Sequence, residues 1–218
     1  MLLELAHKRK ILFFGGKGGV GKTTVSSAVA LARANEGAKV LLVSTDPAHN
    51  LGHLFDRKIG PKPVRLAPGL DALEIDPEET VDSHLKEVSR ALHALMPVGL
   101  HKEIHKHIEL SRDAPGMHEA AVLERIADVV ATGQEDYDLI IFDSPPAALL
   151  SDASMLSQRA DGVVLVVRAE STHRSVLKRA IRNLQAVNAE MMGAIVNGTW
   201  RSRQRGYGYG YGYGYGYG

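Results

Sequence analysis

A glycine-rich decapeptide constrains this chain more than any other feature: Gly15-Gly16-Lys17-Gly18-Gly19-Val20-Gly21-Lys22-Thr23-Thr24 follows the uninterrupted apolar run Ile11-Leu12-Phe13-Phe14 and precedes a segment rich in Ala and Val. An apolar run of that length bounded by glycine reads as a buried parallel strand. The segment after it, from Lys22 to about Asn35, reads as a helix with Gly37 as its stop signal. Between them the spacing G-x-x-x-x-G-K-T runs from Gly16 to Thr23. Glycines at 16, 18, 19 and 21 let successive backbone N–H groups of the loop, Val20 included, turn inward around phosphate oxygens where a Cβ would intrude. In such a loop the Lys22 ammonium reaches the β- and γ-phosphates and the Thr23 hydroxyl meets magnesium. Thr24 and the first helical turn add the positive end of the helix dipole. The loop therefore predicts a site for ATP with Mg2+.

The rest of the chain supplies a matching framework. Val40-Leu41-Leu42-Val43, Leu139-Ile140-Ile141-Phe142, Val163–Val167 and Ala194-Ile195-Val196 are further short buried strands, and Asp71–Asp76 is a candidate for one more. Residues 56–70, interrupted by Pro61, Pro63 and Pro68, read as loop. A helical pattern runs from Pro77 to Thr132, with breaks near Pro97-Val98-Gly99 and Asp113-Ala114-Pro115-Gly116. Another helix spans about Thr172 to Val187. Strands alternating with helices predict an α/β fold, a three-layer P-loop NTPase domain with a mainly parallel sheet of five or six strands. Residues 1–200 form that single domain, with a small helical insertion at about 77–132.

Composition narrows the partners. Lys plus Arg number 26 against 25 Asp plus Glu, so no overall field draws the chain to nucleic acid. There is no cysteine, which excludes thiolate metal sites and thiol nucleophiles. The apolar patch before His7-Lys8-Arg9-Lys10 is too short for a signal peptide, and no apolar run approaches the ~20 residues that cross a bilayer. These features predict a cytoplasmic protein. Residues 201–218, an arginine-rich joint followed by six Gly-Tyr repeats, read as a disordered tail.

With Lys17 near its start, the loop resembles the deviant Walker A version found in the SIMIBI-class ATPases. That resemblance implies a homodimer closed over ATP, with Lys17 reaching the facing subunit's nucleotide. Residues ~8–143 resemble the arsenite-pump and tail-anchored-protein-targeting ATPase family. The resemblance is carried by Ser44-Thr45-Asp46-Pro47-Ala48-His49-Asn50-Leu51-Gly52-His53-Leu54-Phe55 and by Asp113-Ala114-Pro115-Gly116-Met117-His118-Glu119. It implies that Asp46 orients the attacking water and that Asp143, a Walker B acid, helps hold magnesium. It also implies a protein client or membrane-protein partner, and so a position that extends to the inner face of a membrane.

After Asp143 the chain departs from that family. From about Tyr137 it resembles the bacterial tyrosine autokinases of exopolysaccharide synthesis, on Asp143-Ser144-Pro145-Pro146, Asp152 and Ala160-Asp161-Gly162 ahead of an apolar strand. The tyrosine cluster Tyr207 to Tyr217 fits that family as well. Both families place an adenine-reading asparagine after the last strand, where this chain has Asn197; an asparagine before Gly198 also suits a plain turn. Three outputs stay open: ATP hydrolysis coupled to a switch, tyrosine autophosphorylation, and a non-catalytic interaction protein working through its tail. His101 and His105 share a helix face, but the interleaved Lys102, Glu103, Lys106 and Glu109 mark that face as solvated rather than metal-binding.

Overall fold

This computed structural model describes residues 2–46, 50–144, 160–169 and 171–199. In chain order they form α1 (Leu2–Ala6), β1 (Ile11–Gly16), α2 (Lys22–Asn35), β2 (Val40–Ser44), α3 (Asn50–Phe55), β3 (Val64–Ala67), β4 (Leu70–Glu74), α4 (Pro77–Leu95), α5 (His101–Arg112), α6 (Met117–Asp136), β5 (Leu139–Asp143), β6 (Gly162–Arg168), α7 (Arg174–Ala186) and β7 (Met191–Asn197). A single 3-10 turn, Val98–Leu100, joins α4 to α5.

The sheet has seven strands in the order β3-β4-β2-β5-β1-β6-β7. Six run parallel, and β3 pairs antiparallel with β4. The expectation of five or six strands is corrected by β3, which lies inside the stretch read as loop. Its four residues sit between prolines and are too few to show alternation, yet they fold back through Pro68-Gly69 so that Val64 faces Ala72 and Arg65 faces Asp71. An edge strand tolerates flanking prolines because one of its sides carries no ladder.

Alternation along each strand sorts the core into two layers. Leu12, Phe14, Val40, Leu42, Ile141, Val164 and Val166 pack with Val29, Ala30 and Ala34 of α2 on one face. Ile11, Phe13, Leu41, Val43, Ile140, Phe142 and Leu165 pack with Ile126 and Val129 of α6 and Leu184 of α7 on the other. Each such large side chain contributes about 1.5–3 kcal/mol when fully buried. This explains why the runs that build β1, β2 and β5 are apolar throughout: both faces are covered. On α2 the sheet-facing residues Ser26 and Ala30 are completely buried and small, so the helix lies close over the sheet. Val81 and Leu85 of α4 meet Ala121 of α6 in a separate small cluster, with Ile108 of α5 and Met117 against it. Asp76 begins α4 by accepting a hydrogen bond from the Glu79 amide at 3.0 Å, with Pro77 in the first turn.

Because β1 lies centrally and the strands beside it run parallel, the ends of β1, β2, β5 and β6 open on one sheet edge. That edge, where α2 begins, is where open α/β sheets bind ligands.

Candidate functional site

The loop leaves β1 at Gly16 and enters α2 at Lys22. Gly21 sits at φ 94°, and a Cβ there would run into the Asn197 side-chain amide, so only glycine fits. Lys22 is 5% exposed, an unusual burial for a lysine. Its Nζ donates to the Lys17 carbonyl oxygen at 3.3 Å. Burial lowers its pKa, and the neighbouring Asp143 and Asp46 carboxylates partly restore it. A cation held in this way, poorly solvated and next to the loop amides, is primed for a multiply charged anion.

Asp143 ends β5 with no exposed surface. Its Oδ2 accepts the Thr23 hydroxyl at 2.5 Å, which joins the start of α2 to the end of β5. Burial pushes the carboxyl up to about 6; the Thr23 hydrogen bond and Lys22 oppose this, and Asp46 adds to it. Its second oxygen, Oδ1, is buried and makes no hydrogen bond. A buried carboxylate oxygen without a partner, beside a hydroxyl already in contact with its twin, is a hard-oxygen donor set that fits Mg2+. A metal cation beside this carboxylate would offset the desolvation that penalises its charge.

Asp46 follows β2 and is tied in through its backbone: its N–H donates to Ser44 Oγ at 3.3 Å. The Thr45 N–H donates to the Asp143 carbonyl at 3.0 Å, which ties the ends of β2 and β5 together. Lys22, Thr23, Thr24 and Asp46 share a cavity of about 450 Å³ with His53 and Leu54 of α3. The lysine, hydroxyl and two carboxylates expected from the sequence therefore meet at one place. The Lys17 side chain does not join them: it is exposed, and only its carbonyl takes part.

Asn197 lies on the other flank of the loop. Its Nδ2 donates to the Val20 carbonyl at 3.0 Å, and its Oδ1 accepts from the Gly198 N–H at 2.8 Å. The amide thus braces the loop, and each of its ends keeps one unspent hydrogen-bonding position. Arg168, opposite Asn197 in the β6–β7 ladder, donates from Nη1 to the Gly19 carbonyl at 3.4 Å. Sequence reasoning had no role for Arg168, His53 or Leu54. The signal for Arg168 was its place at the end of an apolar strand; for His53 and Leu54 it was their place in the Ser44–Phe55 motif.

Away from this edge, the His101 ring meets His93 edge-on at 4.4 Å, and His105 lies 3.6 Å from Glu109. Pro47-Ala48-His49, Pro145–Leu150, Asp152 and the tail at 201–218, with its tyrosines, lie outside the described residues.

The model of the anion-transporting ATPase family matches residues 9–150, which spans the loop, Asp46 and Asp143. The chain belongs to that family. Among its relatives, an ATPase ASNA1 homolog of Entamoeba dispar is 36% identical over 163 residues, covering 71% of this chain and 49% of its own length. An arsenical pump-driving ATPase of Acidiphilium multivorum is 40% identical over 139 residues, covering 62% of this chain and 23% of its own. The chain thus spans half or less of the length of these anion-transporting ATPase relatives. The solved kinase domain of the Escherichia coli tyrosine kinase ETK superposes with a TM-score of 0.62 at 20% identity, covering 94% of this chain and 72% of that one. At that identity the likeness is one of fold.

Proposed function

We propose that this chain is a magnesium-dependent ATPase that works as a dimeric, nucleotide-driven switch on a protein client or membrane-protein partner. The observation that carries the reading is the contact of Thr23 with Asp143, next to buried Lys22, with the Asp143 Oδ1 left without a partner. The loop amides and Lys22 offset the negative charge of the β- and γ-phosphates. Thr23 and Asp143 would hold Mg2+, which when bound neutralises charge on the transferring phosphoryl group. Asp46 accepts a hydrogen from water and holds it in line with the γ-phosphorus; phosphoryl transfer asks for such positioning more than for covalent help. Lys17, exposed on the loop, reaches toward the nucleotide of a second copy. The amide of Asn197 has one donor and one acceptor position left for an adenine edge.

The family membership supports hydrolysis, while the pathway and client stay with the proposal. A chain without cysteine cannot hold arsenite through thiolates. No helix among the described residues is long and apolar enough to cross a membrane. Work at the cytoplasmic face, through a separate membrane partner, is the arrangement proposed.

The test is incubation of the full chain with Mg-ATP, read both for released phosphate and for phosphotyrosine. Phosphate release without phosphotyrosine supports the ATPase. Phosphotyrosine in the chain replaces that reading with an autokinase, and neither product returns it to a non-catalytic protein.

A further inference from the structure

We propose that Glu74 is a positioning residue of the hydrolytic site: its buried carboxylate pins α3 and so fixes the segment that carries Asp46. The proposal rests on the ATPase reading above. Glu74, the last residue of β4, is 3% exposed, a burial that a carboxylate tolerates only when its oxygens are hydrogen-bonded. Packing of β4 does not call for it, since an apolar residue would cover the same ground at less cost. Its Oε1 accepts the Gly52 N–H, within α3, at 3.1 Å. The next residue, Ile75, donates its N–H to the Ser44 carbonyl at 2.8 Å. Two consecutive residues at the end of β4 thus grip the chain on both sides of Asp46, at Ser44 and at Gly52.

Besides that hydrogen bond, the described residues hold α3 through Leu51, fully buried in the core, and Phe55, which packs against that core. The helix has six residues, and of its described side chains only that of Leu51 is buried. A cavity of about 550 Å³ lies behind it, walled by Arg57, Lys58, Ile59 and Glu74 and reaching His53. Gly52 also accepts the Arg57 N–H at 3.0 Å, and a Cβ on Gly52 would stand 3.0 Å from the Arg57 carbonyl, tighter than side chains ordinarily pack. Release of the Gly52 amide therefore loosens α3 against the end of β4, and with it the placement of His53 and Leu54 above the loop and of Asp46 ahead of them. A group that orients water loses most of its effect when misplaced by about 1 Å, a displacement that costs on the order of 100-fold in rate.

The experiment compares full-length wild type, Glu74→Ala and Glu74→Gln. Glutamine keeps an oxygen that can accept the Gly52 N–H; alanine removes it. Glu74→Ala is expected to lower kcat at least 10-fold with the Kd for ATP within threefold, and Glu74→Gln to recover at least a third of the wild-type rate. A Glu74→Ala rate within twofold of wild type, a parallel loss of ATP binding and rate, or a Glu74→Gln variant as slow as Glu74→Ala each overturns the proposal. Amide hydrogen exchange at Gly52 reads the grip without turnover: it should be slow in wild type and in Glu74→Gln, and at least 10-fold faster in Glu74→Ala. Equal exchange in wild type and Glu74→Ala overturns the proposal whatever the rates. Wild type that releases no phosphate defeats the ATPase reading by itself, and with it the hydrolytic role of Glu74; the Gly52 exchange then decides only whether the grip exists.

Discussion

At the residue scale, Asp143 is subject to two opposed demands. The fold buries it, which favours its neutral form, while a cation site needs it charged. Its carboxyl is raised from 3.8 to about 6, so between these values the folded chain binds more protons than the unfolded one. Stability contributed by this group is present below the unfolded value and is lost as pH rises through the folded one. Asp143→Asn keeps an oxygen for the Thr23 hydroxyl and removes the charge. Measured in EDTA at pH 7.5, this variant should exceed wild type in stability by up to about 3 kcal/mol, since each tenfold change in proton affinity carries ~1.4 kcal/mol. The advantage should shrink between pH 6 and 4 as wild type takes up its proton, and Mg-dependent turnover should be lost. Denaturant melts across that range check the stability and a phosphate-release assay the turnover; a destabilised Asp143→Asn would show that the charge is already compensated. Its neighbours separate binding from chemistry. Lys22→Ala should abolish ATP binding in calorimetry, since no other buried cation meets the phosphates among the described loop residues. Asp46→Asn should leave the Kd within threefold and cut kcat at least 100-fold, and full turnover would reassign the water-orienting role.

At the scale of elements, strands and helices communicate through a few polar ties. One links the β3–β4 edge to the end of α6: Tyr137, just before β5, donates its hydroxyl to Asp71 Oδ2 at 3.0 Å, and Asp71 also pairs with Arg65 of β3. Burial first, then the hydrogen bond to Asp71, raises the phenol from 10.0 to about 12. The folded state thus favours the protonated phenol, and the stability it lends is lost as pH climbs from 10 to 12. Absorbance at 295 nm, as the difference between wild type and Tyr137→Phe, should show this single tyrosine titrating near 12; titration near 10 would mean that the tie to Asp71 is absent in solution. Such ties also mark where reading from sequence stops. Local patterns told of β1, β2 and β5, because strands covered on both faces must be apolar throughout. They told of the loop, because its glycines answer a backbone requirement, and of Asp143, because a carboxylate at the end of a buried strand stands out. They did not tell of β3, whose four residues owe their conformation to pairing with β4. Nor did they reveal Glu74, Arg168 or the bond from Asn197 to Val20. Each of these acts on a partner 20 or more positions away, and only the sheet order brings them together.

At the scale of the molecule, the parallel sheet gathers its chemistry on one edge and leaves that edge open. Lys22, Thr23, Asp46 and Asp143 belong to four chain positions that β1, β2 and β5 bring side by side, with α3 along one flank and Asn197 and Arg168 along the other. Lys17 stands apart from them: its side chain is exposed, and only its carbonyl takes part, accepting from Lys22. A lysine whose ammonium stays in solvent is well placed to meet phosphates presented by a second copy. The near balance of charge, 26 basic against 25 acidic residues, raises little repulsion between two copies. ATP can favour such a pair only if it binds the closed dimer more tightly than the separate chains, and a contact from Lys17 to the facing nucleotide would be that difference. Light scattering behind size exclusion should then show monomer without nucleotide and dimer with Mg-ATP once Asp46→Asn prevents turnover. Adding Lys17→Ala should return the chain to monomer while ATP still binds, with its Kd weakened to that of the separate chain. A dimer that survives Lys17→Ala would move the coupling to another residue. A chain that stays monomeric at saturating Mg-ATP would make the switch act within one copy, through α3 and the grip of Glu74 alone.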